Sequence, residues 1–159
     1  MSGVLVAVGL GSNIEDRRAH LDHAIARLRS LLDDVRVSSF YETDPVPPGP
    51  QPRFLNAALV GRWRGTPREL LDTLLDIERE RGRARPAPGA ARTLDLDLLL
   101  FGGQIVGEPG LIVPHPRFQE RAFVLEPLAE IAPGIVDPVT GRTVGDLWKE
   151  LGTKPPDSS

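Results

Sequence analysis

Apolar and polar residues alternate most strictly between Arg92 and Phe101, where the sequence reads R-T-L-D-L-D-L-L-L-F. Residues two apart on a strand share a face, so this pattern predicts a strand with one face of leucine. That face is expected to carry Leu94, Leu96, Leu98 and Leu100. The other face carries Asp95 and Asp97, about 6.5 to 7 Å apart along the backbone at roughly 3.3 Å per residue. Acids on an otherwise apolar strand are costly to bury unless a cation or solvent meets them, which indicates a shared cation site.

Three other segments have the composition of strands. Residues 4–10 are small, apolar or β-branched, and residues 35–41 and 54–61 alternate well enough to predict half-buried strands. The segment between the last two, residues 42–53, contains five prolines and predicts a long loop. A loop of this length is either a plain connector or a functional lid.

Two glycines and an asparagine end the first strand, in the sequence G-L-G-S-N at residues 9–13. A dinucleotide-binding fingerprint would need a third glycine where this chain has Ile14. Two interpretations therefore stay open. One is a strand-to-helix turn capped by Asn13 or Asp16, and the other is a backbone that lines a ligand site.

An amphipathic helix is predicted for residues 16–32, where apolar residues recur at helical spacing. His20 and His23 are three residues apart on it and have the spacing of a metal-binding pair. Because the sequence offers no third ligand nearby, we favour a solvated face for both.

A second helix is predicted for residues 66–81 and has a clear start signal. A capping threonine, a proline in the first turn and an acid three residues after the cap occur at Thr66, Pro67 and Glu69. Gly82 is the expected end of this helix.

The C-terminal third predicts further helices within the same domain. Residues 118–131 have a helical pattern that we expect to break at Pro127, and residues 143–151 predict a short helix. A chain of 159 residues with 40% apolar residues is long enough for one core and short for two. We expect a single domain over residues 1–152 and a disordered tail over residues 153–159.

Composition and charge narrow the class of protein. The net charge of −3 argues against a general nucleic-acid binder, and the lack of cysteine excludes a disulfide framework or thiolate site. The first apolar run is too short to cross a membrane and no basic stretch precedes it. The sequence thus predicts a cytoplasmic protein without membrane or nucleic-acid partners.

Arginine is concentrated just before the aspartate strand. Five arginines occur from Arg79 to Arg92, in a stretch rich in proline, glycine and alanine. Such a basic loop either compensates the two carboxylates or forms a cradle for magnesium-bound phosphates, in which the acids hold metal and the arginines hold oxygens.

The ordered set of motifs resembles one family. It comprises G-S-N near the start, F-L-N-A-A after the proline-rich loop, R-G-R, R-T-L-D-L-D-L-L-L-F-G and V-P-H-P-R-F-Q-E-R-A-F-V-L-E-P-L. Together these resemble the 6-hydroxymethyl-7,8-dihydropterin pyrophosphokinases over residues 6–133. The resemblance implies a ferredoxin-like α+β sandwich, with a mostly antiparallel sheet and packed helices. It also implies transfer of pyrophosphate from ATP to the pterin's hydroxymethyl oxygen, with release of AMP, in folate synthesis. We expect the protein to be a monomer.

The resemblance assigns roles at the nucleotide end of the site. Asp95 and Asp97 match the ligands of two Mg²⁺ ions, and Arg83 and Arg92 match arginines that stabilise charge on the phosphates. The positions that match ATP contacts are Glu78, Arg85, Arg92, Leu98, His115 and Arg121.

The resemblance also assigns a pterin subsite. Phe54 and Phe123 match the two aromatics that hold the flat ring, and Asn56 matches the amide that reads its edge. Backbone contacts are implied for Thr43, Pro45 and Val46. Where many family members carry tryptophan, glycine and proline before the motif arginine, this chain has Gly89, Ala90 and Ala91, so closure of that loop over ATP would rely on arginines.

Three other functions fit the sequence less well. A non-catalytic module of similar fold would bind a nucleotide without turnover. An RNA-binding domain would need aromatic residues on the strands and a positive charge. A pterin aldolase would explain the aromatics and leave the arginines and the aspartate pair without a role.

Overall fold

The computed structural model describes residues 3–14, 16–44, 50, 52–81 and 94–153. The first two thirds of the chain contain most of the strands together with two helices, and two further helices form the C-terminal part. In chain order the elements are β1 (Val4–Ser12), α1 (Arg17–Leu31), β2 (Asp33–Val37), β3 (Tyr41–Thr43), β4 (Phe54–Trp63), α2 (Pro67–Glu80), β5 (Asp95–Phe101), β6 (Val106–Glu108), β7 (Leu111–Val113), a 3₁₀ turn (Phe118–Glu120), α3 (Ala122–Ile131) and α4 (Val144–Thr153).

The main sheet is antiparallel and has helices on both faces. Its order is β2-β4-β1-β5, with β3 also paired to β4, and β6 and β7 form a separate hairpin. Leucines of α1 and α2 pack on one face of the sheet, and α3 and α4 pack on the other. The predicted α+β class, with a mostly antiparallel sheet covered by helices, is confirmed.

The aspartate strand is confirmed, but its leucine face is not continuous. Val8 pairs with Leu98 and Ala7 pairs with Leu100, so Leu99 is an extra residue at a bulge. The extra residue of a bulge moves the side chains that follow it to the opposite face of the sheet. Leu100 therefore packs under α3 and α4, and the prediction that it shares a face with Leu98 is wrong.

The strand predicted over residues 35–41 is divided into β2 and β3. At the break, Ala58 donates its backbone N–H to the Ser38 hydroxyl at 2.9 Å, and Ser38 N donates to the Ala58 carbonyl at 2.9 Å. The Ser38 hydroxyl thus takes the place of a backbone carbonyl as hydrogen-bond acceptor in the pairing with β4. The backbone of Ser39 is consequently free to turn towards α3.

The glycine motif is part of β1 rather than a turn. The strand continues through Ser12, and Gly9 and Gly11 pair with β4 on one side and β5 on the other. Asp16 is the N-cap residue of α1 without a capping side-chain hydrogen bond. The strand-to-helix turn is therefore excluded for both glycines, and the interpretation of a ligand-lining backbone remains.

The C-terminal helices are interrupted and end at other residues than predicted. The interruption falls at Arg121, between the 3₁₀ turn and α3, while Pro127 lies inside α3. α4 extends through Thr153, so Gly152 is helical. The rest of the predicted tail, residues 154–159, and the predicted helix end at Gly82 lie outside the described residues.

His20 and His23 are half-buried and both contact residues at the end of α2. Arg81 donates its Nε to His20 Nδ1 at 2.9 Å, and His23 Nε2 lies 2.7 Å from Glu80 Oε1. Glu80 also accepts from Arg27, and these hydrogen bonds, that of Arg27 first, lower the pKa of its carboxyl. The predicted solvated face is thus only partly exposed, because both histidines join α1 to the end of α2.

The predicted start of α2 is confirmed as a reciprocal capping box. Glu69 N donates to the Thr66 hydroxyl at 3.1 Å, and Thr66 N donates to Glu69 Oε1 at 2.8 Å.

No helix of the described residues combines the length and apolar character needed to cross a membrane.

Replacing Thr66 with alanine is expected to lower the free energy of unfolding by about 1 kcal/mol, since the Glu69 amide loses its acceptor. Urea denaturation of the wild type and the variant measures this difference. Ser30→Ala is the control, because Ser30 is exposed in α1 and donates only to the Arg27 carbonyl. An equal midpoint for Thr66→Ala and Ser30→Ala would contradict the assignment.

Candidate active site on the sheet face next to α3

The two aspartates of β5 lie directly across from two glycines of β1. Asp97 pairs with Gly9, and Asp95 pairs with Gly11. Directly paired residues of an antiparallel ladder share a face, so all four lie on the face that α3 also covers. Asp97 is exposed and Asp95 is half-buried. The glycines present no side chain to this face, and their places are taken by neighbours: a Cβ atom at Gly9 would lie 3.5 Å from the Leu99 side chain.

β4 extends this face from the glycines towards β3. Gly11 pairs with Asn56, and a Cβ atom at Gly11 would lie only 3.0 Å from Asn56 Oδ1 and 3.9 Å from Phe54 Cδ1. Asn56 is buried, and its Nδ2 donates to the Thr43 hydroxyl at 2.6 Å. The amide is thus fixed by β3, with its oxygen directed over Gly11.

His115 joins the acid pair from the segment after β7. Its backbone N–H donates to the Leu99 carbonyl at 3.0 Å, and its Nδ1 accepts from Arg117 N at 3.3 Å. Burial, together with Arg121 and Arg117, lowers the pKa of His115, although the charge of Asp97 acts in the opposite direction. The ring is therefore held neutral near neutral pH, at a position close to Asp97.

The start of α3 brings a guanidinium and an aromatic ring together. Arg121 is the N-cap residue of α3, and its Cζ lies 5.6 Å from the centroid of the half-buried Phe123 ring. Arg121 also influences His115, so it lies near that residue. This end of α3 offers a cation and a flat apolar surface to a ligand.

Glu78 and Leu98 lie in the interior rather than on the open face. Glu78 is 4% exposed, and its Oε2 accepts the backbone N–H of Leu96 at 2.7 Å at the edge of the sheet. Leu98 packs in the core beneath α1 and α2. A nucleotide contact at Leu98 would therefore involve its backbone at the edge strand β5.

Several predicted site residues lie outside the described part of the chain. These are Pro45, Val46, Arg83, Arg85 and Arg92, together with the departure at Gly89, Ala90 and Ala91. Their roles remain predictions.

The described residues fit an Mg²⁺ site that is completed by a ligand. Within residues 3–81 and 94–153, apart from their gaps, no group of three His, Asp or Glu side chains can hold a metal ion. Two hard oxygen donors are nevertheless present on one open face, at Asp95 and Asp97. Mg²⁺ is often held by one or two carboxylates, with substrate phosphates and water as the other ligands.

The structure brings together residues that the sequence suggested separately, and it adds two that sequence reasoning left undecided. Asp95, Asp97, Asn56 and Phe54 lie on one face, with His115 close to Asp97. Gly9 and Gly11 were ambiguous as a motif. Their spacing of two, equal to that of the aspartates, was the signal that could have placed them beside the acids.

Comparison with known proteins gives the family. The model of the 7,8-dihydro-6-hydroxymethylpterin-pyrophosphokinase (HPPK) family matches residues 7–133. A 2-amino-4-hydroxy-6-hydroxymethyldihydropteridine pyrophosphokinase of Bacillus subtilis is 42% identical over 149 residues, covering 90% of this chain and 89% of its own. A protein of the same name from Pseudomonas aeruginosa is 44% identical over 144 residues, covering 89% and 88%.

The fold is shared with longer proteins. The crystal structure of Plasmodium falciparum HPPK-DHPS matches 92% of this chain with a TM-score of 0.74 and 13% identity. This chain spans only 44% of that one. From the family match and the two relatives, the chain belongs to the 7,8-dihydro-6-hydroxymethylpterin-pyrophosphokinase family.

Proposed function

We propose that this protein transfers pyrophosphate from MgATP to the hydroxymethyl oxygen of 6-hydroxymethyl-7,8-dihydropterin in folate biosynthesis. The observation that carries the proposal is the pairing of Asp97 with Gly9 and of Asp95 with Gly11, which places both carboxylates on one face of the sheet, with Asp97 exposed, in a chain of this family. The products are AMP and the pterin diphosphate.

We assign Asp95 and Asp97 to two Mg²⁺ ions that bind with ATP. When bound, Mg²⁺ neutralises phosphate charge and fixes the geometry of the transferred group. His115, which lies near Asp97, and Arg121, which lies near His115, would then contact the nucleotide as neutral donor and cation. Arg83, Arg85 and Arg92 are proposed to contact the same phosphates.

We assign the pterin to the other half of the face, at Asn56, Phe54 and Phe123. Asn56 uses its Nδ2 on Thr43, which leaves its carbonyl oxygen to accept an N–H of the pterin edge. The two aromatic rings would contact the faces of the heterocycle. Backbone contacts from Thr43, Pro45 and Val46 complete the proposed subsite.

The reaction is an in-line displacement at the β-phosphorus of ATP. A bond forms between the hydroxymethyl oxygen and the β-phosphorus, and the bond from the β-phosphorus to the oxygen that bridges to the α-phosphorus breaks. AMP leaves with that oxygen, and the hydroxyl proton is released. We assign no dedicated general base and attribute the rate to positioning and charge stabilisation.

The assay supplies the reduced pterin with MgATP and separates the nucleotide products. We expect AMP and pterin diphosphate in equal amounts. ADP as the sole nucleotide product, or no turnover by folded protein, would refute the proposed function. Nucleotide binding without turnover would instead favour the non-catalytic module.

The remaining expectations are part of the same proposal. Residues 1–152 form one pyrophosphokinase domain, and the enzyme acts as a cytoplasmic monomer on ATP and a reduced pterin. Size-exclusion chromatography with light scattering tests the oligomeric state, and a dimer mass would refute the monomer.

A further inference from the structure

A carboxylate on α3 accepts hydrogen bonds from three donors of the segment that ends in β3. Ser39 N lies 3.1 Å from both oxygens of Glu130, and the Ser39 hydroxyl donates to Oε2 at 3.0 Å. The Tyr41 hydroxyl donates to Oε1 at 2.6 Å. This contact with Glu130, followed by burial, raises the pKa of Tyr41 to about 12, so the phenol stays protonated and donates.

The break between β2 and β3 makes these contacts available. The side chain of Ser38 occupies the ladder position of a backbone acceptor, and the Ser39 amide then points to α3 instead of β4. The strand break and Glu130 therefore form one structural unit. Its members are 89 to 91 residues apart in sequence.

This unit is connected to the pterin half of the site through β3. Tyr41 pairs with Asn56, and Thr43 pairs with Phe54. At the end of β3, the Thr43 hydroxyl accepts from Asn56 Nδ2 at 2.6 Å. Because β3 has three residues and, among the described strands, pairs with β4 alone, its position depends on additional contacts.

We propose that Glu130 is a positioning residue for the pterin subsite. It holds β3 against α3, and β3 in turn holds the Asn56 amide through Thr43. The inference rests on the proposed function, since it assumes that Asn56 contacts the pterin. It assigns to α3 a second role, at the opposite end of the helix from Arg121 and Phe123.

The test measures binding of 6-hydroxymethylpterin by calorimetry in the presence of Mg²⁺ and a non-hydrolysable ATP analogue. Glu130→Gln is expected to raise the pterin Kd about 10-fold, and Tyr41→Phe about 3-fold, because loss of hydrogen bonds lets β3 shift. Affinity for the ATP analogue should change less than about 2-fold. Glu108→Gln is the control, since Glu108 joins β6 to Arg68 of α2 and contacts neither β3 nor α3 within the described residues.

A purely structural role makes a different prediction. It would lower the melting temperature and leave the pterin Kd of the folded protein unchanged, which would overturn the inference. In a Thr43→Ala background, where the link to Asn56 is already lost, Glu130→Gln should raise the Kd less than about 2-fold further. An equal 10-fold effect in both backgrounds would also overturn it. If Glu130→Gln does not fold, Tyr41→Phe, which retains the carboxylate, decides by the same criteria.

The wild-type protein separates this inference from the proposed function. Wild-type protein that does not bind the pterin refutes both. Wild-type binding and turnover, with an unchanged Kd in the Glu130 and Tyr41 variants, refutes the positioning role alone.

Discussion

Replacing Asp97 with alanine is expected to lower kcat by at least about 1,000-fold while the protein stays folded. Asp97 is exposed on β5 opposite Gly9, so its removal creates no cavity in the core. The loss affects a proposed Mg²⁺ ligand, and electrostatic stabilisation of the transferred group contributes several kcal/mol to such reactions. Asp97→Asn, which keeps the side-chain shape, should behave similarly.

Turnover and MgATP binding measure this effect, and circular dichroism with thermal unfolding checks the fold. Asp72→Ala is the control, since Asp72 is an exposed carboxylate on α2. We expect this variant to keep wild-type activity. Near-normal kcat in Asp97→Ala would show that Asp97 is not a metal ligand.

The firmest sequence prediction concerned β5, because its alternation depends only on neighbouring residues. The bulge at Leu99 could not be predicted in the same way. It is set by pairing with β1 between Ala7 and Val8, which places the neighbours Leu99 and Leu100 together on the face under α3 and α4. A leucine suits either face, so a run of leucines does not indicate where the alternation reverses.

The break at residues 38–40 shows a second reason why the sequence alone does not predict every element. The local sequence alternates as one strand, and a carboxylate on α3 takes the Ser39 amide out of the ladder. That partner is 91 residues away, so no local pattern contains it. The capping box at Thr66, whose members are three residues apart, was predicted correctly for the opposite reason.

Within the site, reactive side chains could be identified from the sequence, whereas the glycines beside them could not. Two carboxylates or an aromatic ring suggest chemistry by themselves, whereas Gly9 and Gly11 acquire meaning only from the register that places them opposite Asp97 and Asp95. A glycine inside a strand often marks close approach of another group.

A substitution at Gly11 is therefore expected to have the second large effect on activity. Gly11→Val is expected to lower kcat/KM for the pterin by about 100-fold, a loss typical of a misplaced binding group. A Cβ atom at this position lies 3.0 Å from Asn56 Oδ1, and the valine methyl groups extend further over the same space. Asn56 cannot yield easily, because Thr43 holds its amide at 2.6 Å.

Steady-state kinetics with varied pterin measures the loss, and Gly107→Val is the control because a Cβ atom there meets nothing within 4 Å on the exposed strand β6. Valine favours strands, so neither change opposes the local structure. In an Asn56→Ala background the added valine should cost less than about 5-fold, since the group that it displaces is already absent. A full 100-fold loss in that background would show that Gly11 acts on the ligand or on Asp95 instead of through Asn56.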